Sequence, residues 1–325
     1  MSRPLDLPSL APGDRVQETL LVLDVEQRTP DTGNPYTIVT LGNATGTMLT
    51  EPFWLERQRE IDGLHRGHAV QVIGEVATWK DRKQLKVTSL RVLPDGTANL
   101  GALLPSVGDL QPYWTVLDRW RREIAKPRLR GVVDLFYDDA DFRARYERCP
   151  AAVRGHHAAV GGLLKHTAEV AAIGRTIART SGADLELVLA GALLHDIGKL
   201  DAYQWDRLFD YTVAGRLVGH VTLGALRFER RLAQEAAPPC TEQERDILLH
   251  LILSHHGRLE WGSPVLPMTL EAEALHWADN ASARTASMAE ALADPGRFPE
   301  GGLISRSEWA LDHRKVFRGA SDWGA

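Results

Sequence analysis

The sequence predicts two domains of different build, a small antiparallel β-barrel followed by an all-α domain. Two patterns carry this expectation. Up to Pro94 the apolar residues alternate in short runs, and from Tyr113 onward they recur at helical spacing. A third observation supports it. The change falls in a stretch from Leu93-Pro94-Asp95-Gly96 to Pro112 where Gly and Pro recur and no period is sustained. The predicted organisation is a barrel over 1–94, a linker with a leading helix over 95–130, a helical domain over 131–300 and a C-terminal tail over 301–325.

In the first part, the Leu- and Val-rich run Val16–Val25 reads as a strand, and Tyr36–Leu41 as a second that turns at Gly42-Asn43. Ala69–Val76 and Leu85–Val92 alternate again, with Lys80-Asp81-Arg82-Lys83 as a polar hairpin tip between them. About five short strands with one helix-like insert at Leu55–Leu64 suit a Greek-key barrel of the OB type. In the second part, Leu163, Leu164, Thr167, Val170, Ile173 and Ile177 share a helical face. Asp184 is placed to cap the next helix. Thr241-Glu242-Gln243-Glu244 reads as a capping box for a helix that Gly257 can end. Thr269 caps a last long helix, which Asp294-Pro295-Gly296 stops.

The bulk numbers agree with an ordinary globular chain: 325 residues, 44% hydrophobic and 25% charged. A net charge of −5 speaks against a protein that is basic all over, while a local basic groove for phosphates is compatible with it. Cys149 and Cys240 stand far apart in no motif, so a disulfide framework is not expected and a reducing compartment fits. No apolar run reaches membrane-spanning length, and the first residues carry no apolar leader. The expectation is a cytoplasmic protein that makes no membrane contact.

Nine of the twelve histidines lie between His156 and His276. His166 is on the first long helix, His195-Asp196 ends the second, and Lys199 follows it. His220 opens a later helix, His255-His256 ends the capped one, and Asp279 lies within the last. A single histidine on an apolar helix face is ordinarily a satisfied core residue, and either aspartate alone has a bland account. Burying the whole set near apolar faces is costly without partners, and a shared metal would satisfy them together. Imidazole and carboxylate suit divalent transition ions. A carboxylate can also bridge two ions, which together can bind a phosphate and acidify an attacking water.

The ordered set His166, His195-Asp196, Asp279 resembles the HD phosphohydrolase superfamily, and the added His220 and His255-His256 resemble its dinuclear members. More closely, His156–Thr167, Ala190–Lys199, Gly215–His220, Ser254–Pro264 and Glu271–Asn280 resemble the YhaM-type 3′–5′ exoribonucleases. That family joins an OB-fold to an HD domain. The resemblance covers nearly the whole chain. It implies that His166, His195, Asp196 and Asp279 hold one ion. Asp196 would touch a second, with His220 and His255, and His256 would be a ligand or stand just behind one. Lys199 would face the scissile phosphate. It further implies two divalent ions, manganese foremost, with iron, cobalt, magnesium or zinc as alternatives, and a single-stranded RNA or DNA substrate. The chain departs from the family at Ala281-Ser282-Ala283, where an apolar and an acidic residue are expected.

Outside the cluster, Arg154, His156 and His157 are candidate phosphate contacts or simply a solvated helix start. In the barrel, Tyr36, Phe53, Trp54 and Trp79 can stack on bases, with Lys80, Arg82, Lys83 and Lys86 tracking the backbone. The competing account is that these aromatics fill the barrel and the charges are solvated. Trp309, Arg314, Lys315 and Arg318 form a weakly basic tail that caps a channel or packs on a partner subunit in a homo-oligomer. The function expected is a metal-dependent 3′–5′ exonuclease releasing nucleoside monophosphates. The rivals are a phosphohydrolase of small nucleotides and an OB-fold nucleic-acid-binding protein with a non-catalytic metal site.

Overall fold

The computed structural model describes residues 5–29, 33–79, 82–155, 157–294, 297–299 and 301–319. Two compact units result. One comprises Met1–Ser106, Asp206–Leu208 and Ala291–Ala325, and the other Val107–Trp205 and Phe209–Glu290.

The first unit contains β1 (Arg15–Arg28), β2 (Tyr36–Asn43), β3 (Gly46–Leu49), β4 (Ala69–Trp79) and β5 (Arg82–Val92). The strand order is β3-β2-β1-β4-β5, antiparallel throughout. A parallel bridge from Thr50 to Leu85 brings the two edges together, as an OB-type barrel requires. Alternation in β4 sends Val70, Val72 and Val76 inward beside Val16, Leu20, Val39 and Leu85. The second strand does not turn at Gly42-Asn43 as expected. Both residues still pair, with Thr47 and Gly46, so the turn falls on Ala44-Thr45. Asn43 is buried there, its amide donating to the Leu5 carbonyl. The insert at Leu55–Ile61 is a 3₁₀ helix.

The helical unit begins with α1 (Gln111–Glu123), α2 (Pro127–Tyr137) and α3 (Ala140–Tyr146). The central pair follows, α4 (Gly162–Ser181) and α5 (Leu185–Leu194). Then come α6 (Lys199–Ala202), α7 (Val213–Val218), α8 (His220–Leu232), α9 (Glu242–Ser254) and α10 (Leu270–Ala293). Asp184 caps α5 by accepting from the Glu186 and Leu187 amides. The capping box of α9 forms, with Thr241 and Glu244 satisfying each other's backbone amides. Helix α5 is buried from Val188 to Leu194, so it is the axis of the unit, and its last turn delivers His195 and Asp196. No helix among the described residues is long and apolar enough to cross a membrane.

Candidate metal centre

Each polar residue of the cluster is delivered by the end or the middle of a helix. His195 is the C-cap of α5 and His255 that of α9. A helix C-terminus leaves its last carbonyls without helical partners. These two histidines use them: His195 Nδ1 lies 2.8 Å from Ala192 O, and His255 Nδ1 lies 2.7 Å from Ile252 O. His256 Nδ1 sits 2.6 Å from Trp261 O. A carbonyl only accepts, so in each neutral ring Nδ1 carries the proton and Nε2 presents a bare lone pair. Two glycines permit the close packing. A Cβ on Gly198 would fall 2.0 Å from His220 O, and Gly257, at φ +74°, passes against the His276 ring.

The lone pairs converge on Asp196, whose two oxygens face different groups. Oδ2 lies 3.1 Å from His195 Nε2 and 3.5 Å from His166 Nε2. Oδ1 lies 3.5 Å from His220 Nε2 and 3.7 Å from His255 Nε2. Asp279 Oδ1 adds to the first group, 3.0 Å from His166 Nε2 and 4.0 Å from His195 Nε2. His256 adds to the second, its Nε2 3.2 Å from that of His220. Lys199 Nζ lies 2.6 Å from Asp196 Oδ2.

The electrostatics keep the donors ready. Burial pushes the Asp196 carboxyl up, but Lys199 and His195 outweigh it and hold the group well below the usual carboxylate range. Burial acts likewise on Asp279, and the neighbouring imidazoles of His166, His255 and His195 together outweigh it. Burial lowers His220 to about 3. Burial and the neighbouring His256 hold His255 well below an ordinary imidazole. His166 is lowered by burial against the pull of Asp279. His195 is the exception: burial lowers it, yet Asp196 raises it further. Charged carboxylates and neutral imidazoles are the forms that bind metal.

The residues fit a divalent ion on two grounds. His166, His195 and Asp196 form one group of converging donor atoms, and His220, His255 and His256 a second, each with its atoms within 4.8 Å of one another. Both oxygens of Asp196 and Nε2 of His255 are buried with no hydrogen bond of acceptable geometry. Lys199 offsets part of the cost of an ionised carboxylate buried in this way, and a divalent ion held by these donors would offset the rest.

A cavity of about 230 Å³ opens beside the cluster, lined by Lys199, His256 and Asp279 and by Trp261, Asn280 and Arg284. None of the last three was singled out as a site residue from sequence, which treated Trp261 and Asn280 only as parts of matching runs.

The expected nucleic-acid contacts divide. Trp54 and Trp79 are exposed, and the Trp54 ring lies 4.9 Å from that of Tyr36. Lys86 is exposed, while Lys83 donates to the Pro8 carbonyl at 3.1 Å. Phe53 is buried in the barrel core and is not a stacking platform. Lys80 and His156 lie outside the described residues, as does the side chain of Arg82. Arg154 is exposed. His157 is not at a solvated helix start. A left-handed backbone (φ 56°) turns it inward, and its Nε2 sits 2.9 Å from Glu169. In the tail, Arg314 and Lys315 are exposed, whereas Arg318 donates to the Gly302 carbonyl and lies over Phe298; the Trp309 side chain lies outside the described residues.

Comparisons with known proteins follow the same outline. Residues 163–284 match the family described as HD domain. Over 319 residues the chain is 30% identical to the 3′–5′ exoribonuclease YhaM of Shouchella clausii (strain KSM-K16), covering 94% of each chain. It is 29% identical over 311 residues to the 3′–5′ exoribonuclease YhaM of Bacillus subtilis (strain 168), covering 94% of this chain and 95% of the relative. The protein of the same name from Geobacillus sp. (strain WCH70) is 25% identical, over 94% of this chain and 92% of its own.

Proposed function

The chain belongs to the 3′–5′ exoribonuclease YhaM family, and from that premise we propose a divalent-metal-dependent 3′–5′ exonuclease. It hydrolyses single-stranded RNA, and single-stranded DNA as a second substrate, to nucleoside monophosphates. The observation that carries the reading is Asp196, buried, with one oxygen turned to each of two donor groups. His166, His195, Asp196 and Asp279 would hold one ion, and Asp196, His220, His255 and His256 a second. Manganese suits this mixture of imidazole and carboxylate, as do iron, cobalt and zinc, whereas magnesium, which prefers oxygen ligands, suits it less well. The chemistry a bound divalent ion supplies is Lewis acidity, which neutralises phosphate charge and makes an attacking water more acidic.

The chain's own residues do the rest. The histidines and aspartates would hold the ions to which the reacting phosphate binds. Lys199 compensates the buried charge of Asp196 and offers a cation to the scissile phosphate. The cavity with Trp261, Asn280 and Arg284 receives the terminal nucleotide. In the barrel, exposed Trp79 stacks on bases at about 1–3 kcal/mol per base, with nearby lysines following the backbone. Two free cysteines and an RNA substrate suit the cytoplasm.

The test is a 5′-labelled single-stranded RNA incubated with manganese and either the wild type or Asp196→Ala. The expected result is a ladder shortening from the 3′ end, lost in the variant. Cleavage of small nucleotides alone, or binding without turnover under any divalent metal, would refute the reading.

A further inference from the structure

His195, His255 and His256 each have Nδ1 fixed by a backbone carbonyl. His166 has no such anchor. It lies inside α4, where the backbone carbonyls serve the helix itself. Its Nδ1 instead meets a hydroxyl, Ser282 Oγ on α10, at 3.0 Å. A hydroxyl donates or accepts equally well, so by itself it selects neither tautomer of the ring.

The next contact decides. Ser282 Oγ lies 2.8 Å from Glu169 Oε2, and His157 Nε2 reaches the same oxygen at 2.9 Å. Burial raises the Glu169 carboxyl, but His157, Ser282 and Lys165 together outweigh it and the group lies below its ordinary value. An ionised carboxylate only accepts. The serine proton therefore points at Glu169, which leaves Ser282 Oγ to accept from His166 Nδ1–H. His166 Nε2 faces Asp279 Oδ1 and the His195 Nε2 across 3.0 Å and 3.4 Å, so Asp279 competes with Ser282 for the ring proton, and a cation taken up at Nε2 would leave that proton on Nδ1 for Ser282 to accept.

We infer that Ser282, Glu169 and His157 are positioning residues for the metal centre, a relay that holds His166 in the metal-binding tautomer. The relay also accounts for the departure at Ser282. A carboxylate at that position would meet His166 directly. Here the carboxylate comes from Glu169, one helical turn beyond His166 on the same helix, and the serine passes its effect across. The inference rests on the metal reading proposed above.

The test is manganese affinity of the full chain, by equilibrium dialysis or calorimetry, with melting of the metal-free protein measured alongside. Ser282→Ala and Glu169→Ala are each expected to weaken binding about ten- to a hundredfold, the size usual for removing such a partner. Glu169→Gln keeps an acceptor for the serine proton and is expected to lose less than Glu169→Ala. Glu169 is half-buried, so its variants serve if Ser282→Ala, at a buried position, does not fold. Nitrogen-15 chemical shifts of the metal-free protein should show a larger share of His166 protonated at Nδ1 in the wild type than in Glu169→Ala. Unchanged affinity in the variants, or lower melting temperature with unchanged affinity, would overturn the relay and leave the nuclease reading standing. A wild type that binds no divalent ion would overturn both.

Discussion

The two donor groups that share Asp196 are built differently. The inner group, His166, His195 and Asp196, is wholly buried, with Asp279 and Lys199 against it. The outer group is three imidazoles, of which His220 and His256 are only partly buried, and its share of negative charge is one oxygen of Asp196. The inner site thus opposes a divalent ion with two carboxylates and the outer with part of one. On the proposed reading the difference implies a division of labour: an ion held by the inner group would bind tightly and organise the centre, and one held by the outer group would bind more weakly, nearer solvent. Removing what the two groups share gives the largest effect. Asp196→Ala should abolish both sites and strand Lys199 as a buried charge. Losing several kcal/mol of charge stabilisation corresponds to about a thousandfold or more in turnover. RNA degradation under saturating manganese measures it.

Treating the groups one at a time tests whether they differ. His195→Ala should weaken the tighter of two manganese sites, and His256→Ala should remove the weaker, dropping the bound stoichiometry from two to one. Losing the outer ion with that imidazole should lower turnover by at least about a hundredfold, since several kcal/mol of charge stabilisation go with it. Metal analysis after gel filtration reads the stoichiometry. Equal losses in both variants would mean that the two groups act as one site.

The same division separates what the sequence makes legible from what it hides. His195-Asp196 and His255-His256 stand at the C-terminal ends of helices whose starts Asp184 and the Thr241 box mark, so their neighbourhood could be read from local signals. The barrel was legible for the same reason, since alternation and turn residues are local. Ser282 and Glu169 gave no such signal. A serine and a glutamate on helices are ordinary solvated residues until tertiary packing brings them together across 113 positions. His157 misled because a polar run before a helix looks exposed, and only its left-handed turn folds it inward. Trp261, Asn280 and Arg284 meet at the cavity through the packing of α10 against the loop after α9, which no period encodes.

Chelation probes the stability side of the comparison. An ion at a hundred times its dissociation constant stabilises the folded state by about 2.7 kcal/mol. Most of that should come from the inner group. The shift in melting temperature between EDTA and manganese should therefore nearly vanish in His195→Ala and persist in His256→Ala. A shift lost equally in both would erase the distinction.

The smallest effect lies in the proton linkage of the metal-free protein, where His195 of the inner group and His220 of the outer group have opposite signs. Folded His220 titrates at about 3, so below an ordinary imidazole value of about 6.5 the unfolded chain takes up a proton that the folded one refuses. That cost grows as pH falls from about 6.5 towards 3. Folded His195 is raised by Asp196, so its contribution is fully present below the unfolded value and fades as pH rises through the folded one. Thermal melts across pH should therefore show that His220→Gln relieves acid destabilisation. His195→Gln should cost stability chiefly on the acid side. Parallel pH slopes for the two variants would show that the inner and outer groups share one electrostatic environment, and the contrast drawn from Asp279 and Lys199 would fall.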